Sequence, residues 1–229
     1  MYKTVVFDLD GTLLNTLTDL ADAGNRLCRK YGWPTHERQA YRYFVGNGIP
    51  KLVERLAPAD QRTPAVLEAA LADFKRDYGQ HLRDTTAPYP GIPEMLAKLK
   101  ANGVQLAVFS NKADALAKEV VKDYFGTQYF TIVRGQMTGV DPMPMMPMPS
   151  SVAPKPAAEG TNALLQALHA DPASTLYVGD SNVDVETAHN ANLPCCGAVW
   201  GFRTREELNA AGAEYLAENS DELYDVIMK

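Results

Sequence analysis

Short, continuously apolar runs alternate along this chain with stretches whose apolar residues recur at helical spacing, and few architectures tolerate that rhythm. The runs Thr4–Asp8, Val104–Ser110, Tyr129–Val133, Thr175–Gly179, Cys195–Val199 and Glu214–Ala217 suit strands covered on both faces. Between them Leu116, Ala117, Val120, Val121 and Tyr124 fall on one helical stripe, and Thr204 with Glu207 makes a capping-box start. Strand and helix in regular succession predict an α/β fold, a doubly wound parallel sheet with a Rossmann-like core.

One segment breaks the rhythm. From Asn15 to about Pro88 only helical patterns occur: Leu17, Leu20, Ala21, Gly24, Leu27, Cys28 and Tyr31, then Ala65 to Leu82. This predicts a core domain of residues 1–14 and 89–229 with a small all-α cap domain, 15–88, inserted after the first strand. The crossings near Asn15 and through Asp84 to Gly91 are the expected hinges, the second rich in helix-ending residues. A second anomaly, DPMPMMPMPSSVAPKP from Asp141 to Pro156, lacks the backbone donors for helix or central strand and reads as a long extended loop. Its methionines Met143, Met145, Met146 and Met148 could hold a soft metal such as Cu(I), but without Cys or His among them a flexible apolar surface near the site mouth is the better reading.

Charge narrows the partners. With a net charge of −6 over 229 residues and no local Lys/Arg cluster, neither nucleic acid nor an anionic membrane is an expected partner. No apolar run approaches the roughly 20 residues of a membrane span, and the N-terminus lacks a signal-peptide pattern. Cys28, Cys195 and Cys196 form no metal-binding spacing and read as small core residues, so a cytoplasmic, reducing compartment is expected.

The polar residues fall at strand ends. Asp8 and Asp10 end the first strand, Ser110 and Asn111 the second, Asp180 and Asp184 the fourth. Ligands of open α/β sheets bind outside the carboxyl ends of the strands, so three distant segments deliver their groups to one edge. Oxygen ligands without nitrogen or sulfur favour Mg²⁺, and Lys155 with Ser110 suits a phosphate. Together these describe phosphoryl transfer. Gly46 and Gly48 in VGNGIPK follow no strand and so make a cap turn rather than a dinucleotide loop. Lys51 and Arg55 either reach a substrate carboxylate from the cap or lie on a solvated helix face. His36, His81, His169 and His189 lie away from every motif.

DLDGTL at Asp8 to Leu13, FSN at Phe109 to Asn111, APKP around Lys155 and GDSNVD at Gly179 to Asp184 resemble the four ordered motifs of the haloacid dehalogenase superfamily. YRYFVGNGIPKLVERL, YPGIPEMLAKLK and WGFRTREEL further resemble its phosphoglycolate phosphatase branch. The resemblance implies a Mg²⁺-dependent phosphatase acting on a small phosphorylated metabolite, 2-phosphoglycolate first, through an aspartyl-phosphate on Asp8. It implies Asp10 as the acid and base, and Asp8, the Asp10 carbonyl and Asp180 as metal ligands, with Asp184 acting through water or by orienting Lys155. It implies Thr12, Ser110, the Asn111 backbone and Lys155 as phosphate-binding groups. Two rivals stay open: a sugar phosphomutase of the same superfamily, and a binding or regulatory module on this scaffold. The chain departs from the family pattern at Asn15, at KPAA after the lysine and in the long Met/Pro loop.

Overall fold

The computed structural model describes residues 1–137 and 153–229. Most of the Met/Pro segment, including its four methionines, lies outside the described residues.

The chain divides into two compact units, Met1–Leu14 with Pro88–Lys229, and Asn15–Ala87. In the first unit the elements are β1 (Thr4–Phe7), one residue of β2 (Leu14–Asn15), one of β3 (Ala87–Pro88), then α5 (Ile92–Ala101), β4 (Gln105–Ala113), α6 (Asp114–Phe125), β5 (Phe130–Gln136), α7 (Ala158–Leu168), β6 (Thr175–Gly179), α8 (Asn182–Asn190), β7 (Cys195–Ala198), α9 (Arg205–Ala211), β8 (Tyr215–Ala217) and α10 (Ser220–Met228). The inserted unit holds α1 (Leu17–Tyr31), α2 (Arg38–Phe44), α3 (Ile49–Leu56) and α4 (Pro64–Gln80).

Among the described residues, six strands of the first unit form one sheet in the order β5-β4-β1-β6-β7-β8, with every neighbouring pair parallel. This is the doubly wound α/β fold, and β1 sits at the point where the winding changes direction, the usual position of a ligand crevice. Strand β1 is buried over its whole length, and one face of the sheet packs Val6, Ala107 and Tyr177 into a core with Leu164 of α7 and Val185 of α8. Such two-sided cover is why these strands are apolar without alternation.

Register sets up the site. Phe7 lies beside Val108 of β4 and beside Val178 of β6, so Asp8, Phe109 and Gly179 stand at one level across three adjacent strands. The amide of Asp8 donates to the Val178 carbonyl at 2.8 Å. Strand β4 continues to Ala113, past the apolar run that ends at Phe109.

In the inserted unit, a buried carboxylate on α1 organises the return of the chain. Asp19 accepts from the Thr85 amide (2.9 Å) and hydroxyl (2.5 Å) and from the Thr86 amide (2.9 Å) and hydroxyl (2.7 Å). Asn15 accepts weakly from the Leu17 amide at 3.4 Å, ahead of α1. The three cysteines are free and buried; burial pushes the Cys28 thiol up to about 11 and the Cys196 thiol up to about 12, which leaves both inert as nucleophiles.

Candidate active site

Three carboxylates from two strand ends converge. Asp8, Asp180 and Asp184 are all buried and offer one oxygen each within 4.8 Å of one another. Between the first and the last of them sits Lys155, whose Nζ lies 2.8 Å from Asp8 Oδ1 and 2.6 Å from Asp184 Oδ1. Its side chain is 2% exposed. The lysine reaches this depth because its backbone is clamped: the Lys155 amide donates to Asn111 Oδ1 at 2.8 Å and the Asn111 Nδ2 donates to the Lys155 carbonyl at 3.2 Å. The Asn111 side chain thus anchors the segment that carries Lys155, a task its strand-end position alone does not reveal.

Each remaining acid has its own support. Asp184 belongs to the capping box of α8, its Oδ2 accepting from the Ser181 amide (3.1 Å) and hydroxyl (2.7 Å). Asp180 accepts from the Thr12 hydroxyl at 3.0 Å and from the Phe202 amide at 2.8 Å. Thr12, expected at the phosphate, is fully buried, and its hydroxyl is directed at the Asp180 carboxylate. Glycine makes room for Asp180: a Cβ on Gly11, whose φ is 94°, or on Gly201 would overlap the Asp180 side chain. The Trp200 indole also donates to the Thr12 carbonyl at 3.0 Å, tying the loop after β7 to the loop after β1.

Ser110 is buried, and its hydroxyl oxygen accepts from the Lys112 amide at 3.3 Å, leaving its proton to donate. Asp10 pairs with Lys112, Nζ standing 3.1 Å from Oδ1 and 3.3 Å from Oδ2. Lys112 was not among the residues singled out from the sequence, although it follows FSN directly at the end of the second strand. Arg134 of β5 is buried nearby in sequence register, its strand neighbour being Phe109.

The electrostatics follow from crowding. Burial, with Asp184 and Asp10 adding repulsion and Lys155 opposing, pushes the Asp8 carboxyl up to about 6. Burial and the charges of Asp184 and Asp8 hold Asp180 well above the usual carboxylate range, against the Phe202 and Thr12 donors. Burial works against the Lys155 ammonium, yet Asp184 and Asp8 outweigh it and its value stands well above the ordinary lysine range. Three carboxylates around one ammonium therefore leave negative charge to be neutralised. Lys155 Nζ, 2.8 Å away, is a cationic neighbour of the buried Asp8 Oδ1. Three buried carboxylates offering hard oxygens within 4.8 Å of one another fit a hard divalent cation.

In the inserted unit, Gly46 and Gly48 take positive φ, 114° and 83°, in the turn between α2 and α3. Arg55 closes that turn, donating to the Phe44 carbonyl and Asn47 Oδ1, both at 2.8 Å, and to the Tyr43 carbonyl at 3.2 Å. Lys51 pairs with Glu54 at 2.8 Å on an exposed face.

Fold and site together define the class: an α/β protein with buried carboxylates and a lysine clustered at the carboxyl edge of a parallel sheet. Residues 5–198 match the haloacid dehalogenase-like hydrolase family. The chain is 30% identical over 228 residues to a phosphoglycolate phosphatase of Chromobacterium violaceum, covering 98% of this chain and 96% of that one. It is 33% identical over 203 residues to a phosphoglycolate phosphatase of Neisseria meningitidis, covering 87% and 81%. A solved structure from Lactobacillus delbrueckii subsp. bulgaricus, 27% identical, superposes with a TM-score of 0.88 over 99% of this chain and 98% of its own. The chain belongs to the haloacid dehalogenase-like hydrolase family, as its motifs led us to expect, and it is a hydrolase. Among the described residues no helix is long and apolar enough to cross a membrane.

Proposed function

We propose that this hydrolase is a Mg²⁺-dependent phosphatase of small phosphomonoesters, with 2-phosphoglycolate as the leading substrate. The observation that carries the reading is the convergence of the buried Asp8, Asp180 and Asp184, with the Lys155 ammonium between Asp8 and Asp184. The substrate assignment leans on the relatives named phosphoglycolate phosphatase in C. violaceum and N. meningitidis.

Asp8, Asp180 and the Asp10 carbonyl would hold the cation. When bound, it neutralises the carboxylates and lets an anionic phosphate approach them. The chain's own groups then divide the work. Asp8 is the nucleophile, and the Lys155 contact favours its ionised, attacking form. Asp10 supplies a proton to the leaving alcohol and removes one from the hydrolytic water. Ser110 donates its free proton to a phosphate oxygen, and the Lys155 ammonium and the Asn111 backbone serve the others. Asp184 steers Lys155, and Thr12 steers Asp180. Residues 15–88 act as a cap whose 46–55 segment sets which ester fits.

The test is phosphate release by purified protein from a panel of phosphomonoesters, with Mg²⁺ and with EDTA. We expect Mg²⁺-dependent turnover, fastest on 2-phosphoglycolate, and loss of it in Asp8→Asn. Full activity in that variant would falsify the mechanism, and isomerised sugar phosphate in place of free phosphate would point to a mutase.

A further inference from the structure

We propose that Lys112 is a positioning residue for Asp10, pinning that carboxylate where it exchanges protons with the leaving alcohol and the hydrolytic water; the proposal rests on the phosphatase reading above. The ammonium stands 3.1 Å from one Asp10 oxygen and 3.3 Å from the other. Near-equal distances place it across the mouth of the carboxylate, so it restrains both the position and the rotation of the group. The Lys112 side chain is 2% exposed, and burying an ammonium is costly unless a carboxylate faces it.

The backbone around Lys112 is equally confined. A Cβ on Gly135 of β5 would overlap the Lys112 carbonyl and the Asp114 backbone, so β5 closes against the end of β4 there. Lysine is thus delivered by a strand rather than a loop. Two buried lysines divide the acids between them: Lys155 serves Asp8 and Asp184, and Lys112 serves Asp10. Asp10 itself sits beyond the end of β1, in a tight turn closed by the Thr12, Leu13 and Leu14 amides on the Leu9 carbonyl; these bonds fix the main chain and leave the Asp10 carboxylate to be oriented by a side-chain partner.

The chemistry gives the two half-reactions different demands. In the first, an Asp8 oxygen bonds to phosphorus, the ester P–O bond breaks, and the leaving oxygen keeps the electron pair and takes the Asp10 proton. In the second, a water oxygen bonds to phosphorus and passes its proton to Asp10, while the P–O bond to Asp8 breaks and returns its pair to that carboxylate. A p-nitrophenolate leaving group stabilises its own charge and needs no proton. Misplacing Asp10 therefore spares the first half-reaction on p-nitrophenyl phosphate and slows the second.

Rapid-mixing kinetics on the full chain with Mg²⁺ test this. In Lys112→Met and Lys112→Gln we expect a p-nitrophenolate burst of about one per enzyme followed by turnover slowed about 10- to 100-fold. Quenched samples should carry phosphate on Asp8 by mass spectrometry, and Lys112→Arg should recover much of the turnover. Burst and turnover lost together in both neutral variants, or turnover unchanged in either, overturns the proposal. Wild-type protein that releases no phosphate from any ester overturns the phosphatase reading itself.

Discussion

At Thr12 a single hydroxyl proton decides between two roles. It goes to Asp180 Oδ1, 3.0 Å away, from a fully buried side chain, so the hydroxyl supports a carboxylate. Thr12→Val keeps the shape and removes the donor. Loss of such an outer partner typically weakens metal binding about 10- to 100-fold, so we expect the Mg²⁺ concentration for half-maximal activity to rise by that factor while the ester KM at saturating Mg²⁺ barely moves. A raised KM with unchanged Mg²⁺ demand would restore the phosphate-binding role. At Gly201 a methyl group would overlap both the Asp180 Cβ and the Gly11 carbonyl, neither of which can yield cheaply. Gly201→Ala should cost about 1–3 kcal/mol of stability, read by denaturant unfolding, and should raise the Mg²⁺ demand with it.

Among the elements, the apolar runs made the strands legible because a strand buried on both faces has no polar residues to confuse the pattern. The acids at the ends of β1 and β6 were legible for the same reason, since Asp8 and Asp180 stand out against the runs before them. Lys112 was not, because β4 continues to Ala113 after its apolar run stops; Ser110, Asn111 and Lys112 are polar yet buried, the last two paired with Lys155 and Asp10 far away in sequence. Pairing of that kind leaves no periodicity. Arg55 is another instance: the sequence left it either reaching for a substrate carboxylate or lying on a solvated helix face, and its guanidinium donates within the turn from Tyr43 to Asn47. Element-scale stability concentrates at α1, where Asp19 accepts from four donors, the amides and hydroxyls of Thr85 and Thr86, and is itself buried. Asp19→Ala strips acceptors from two backbone amides and two hydroxyls, so we expect about 2–4 kcal/mol of destabilisation and faster protease cleavage between residues 80 and 88. Unaltered cleavage there would mean the carboxylate does not fasten this segment.

For the whole molecule, the charge balance at the sheet edge links cation, proton and fold. Asp8 has an ordinary value of 3.8 and stands at about 6 in the folded protein, and Asp180 is raised in the same direction. Between about pH 4 and 6 the folded chain therefore holds more protons than the unfolded one, and its stability falls as the pH rises through that window. Above it Asp8 is ionised and crowded by its acidic neighbours, with Lys155 offsetting part of the repulsion; that lysine, raised in the fold, keeps its contribution until far more alkaline pH. A divalent cation that needs the ionised carboxylates competes with those protons, so its binding strengthens as the pH rises, and a ligand bound only by the folded state adds stability by mass action. Thermal unfolding followed at pH 5 and pH 7.5, with EDTA and with Mg²⁺, should accordingly show a small gain in Tm from Mg²⁺ at the lower pH and a larger one at the higher. Asp180→Asn should abolish most of that difference, because it removes one ligand and one raised carboxyl together. A Tm gain that is equal at both pH values would separate the cation from these carboxylates, and the site would then have to hold its charge by Lys155 and Lys112 alone.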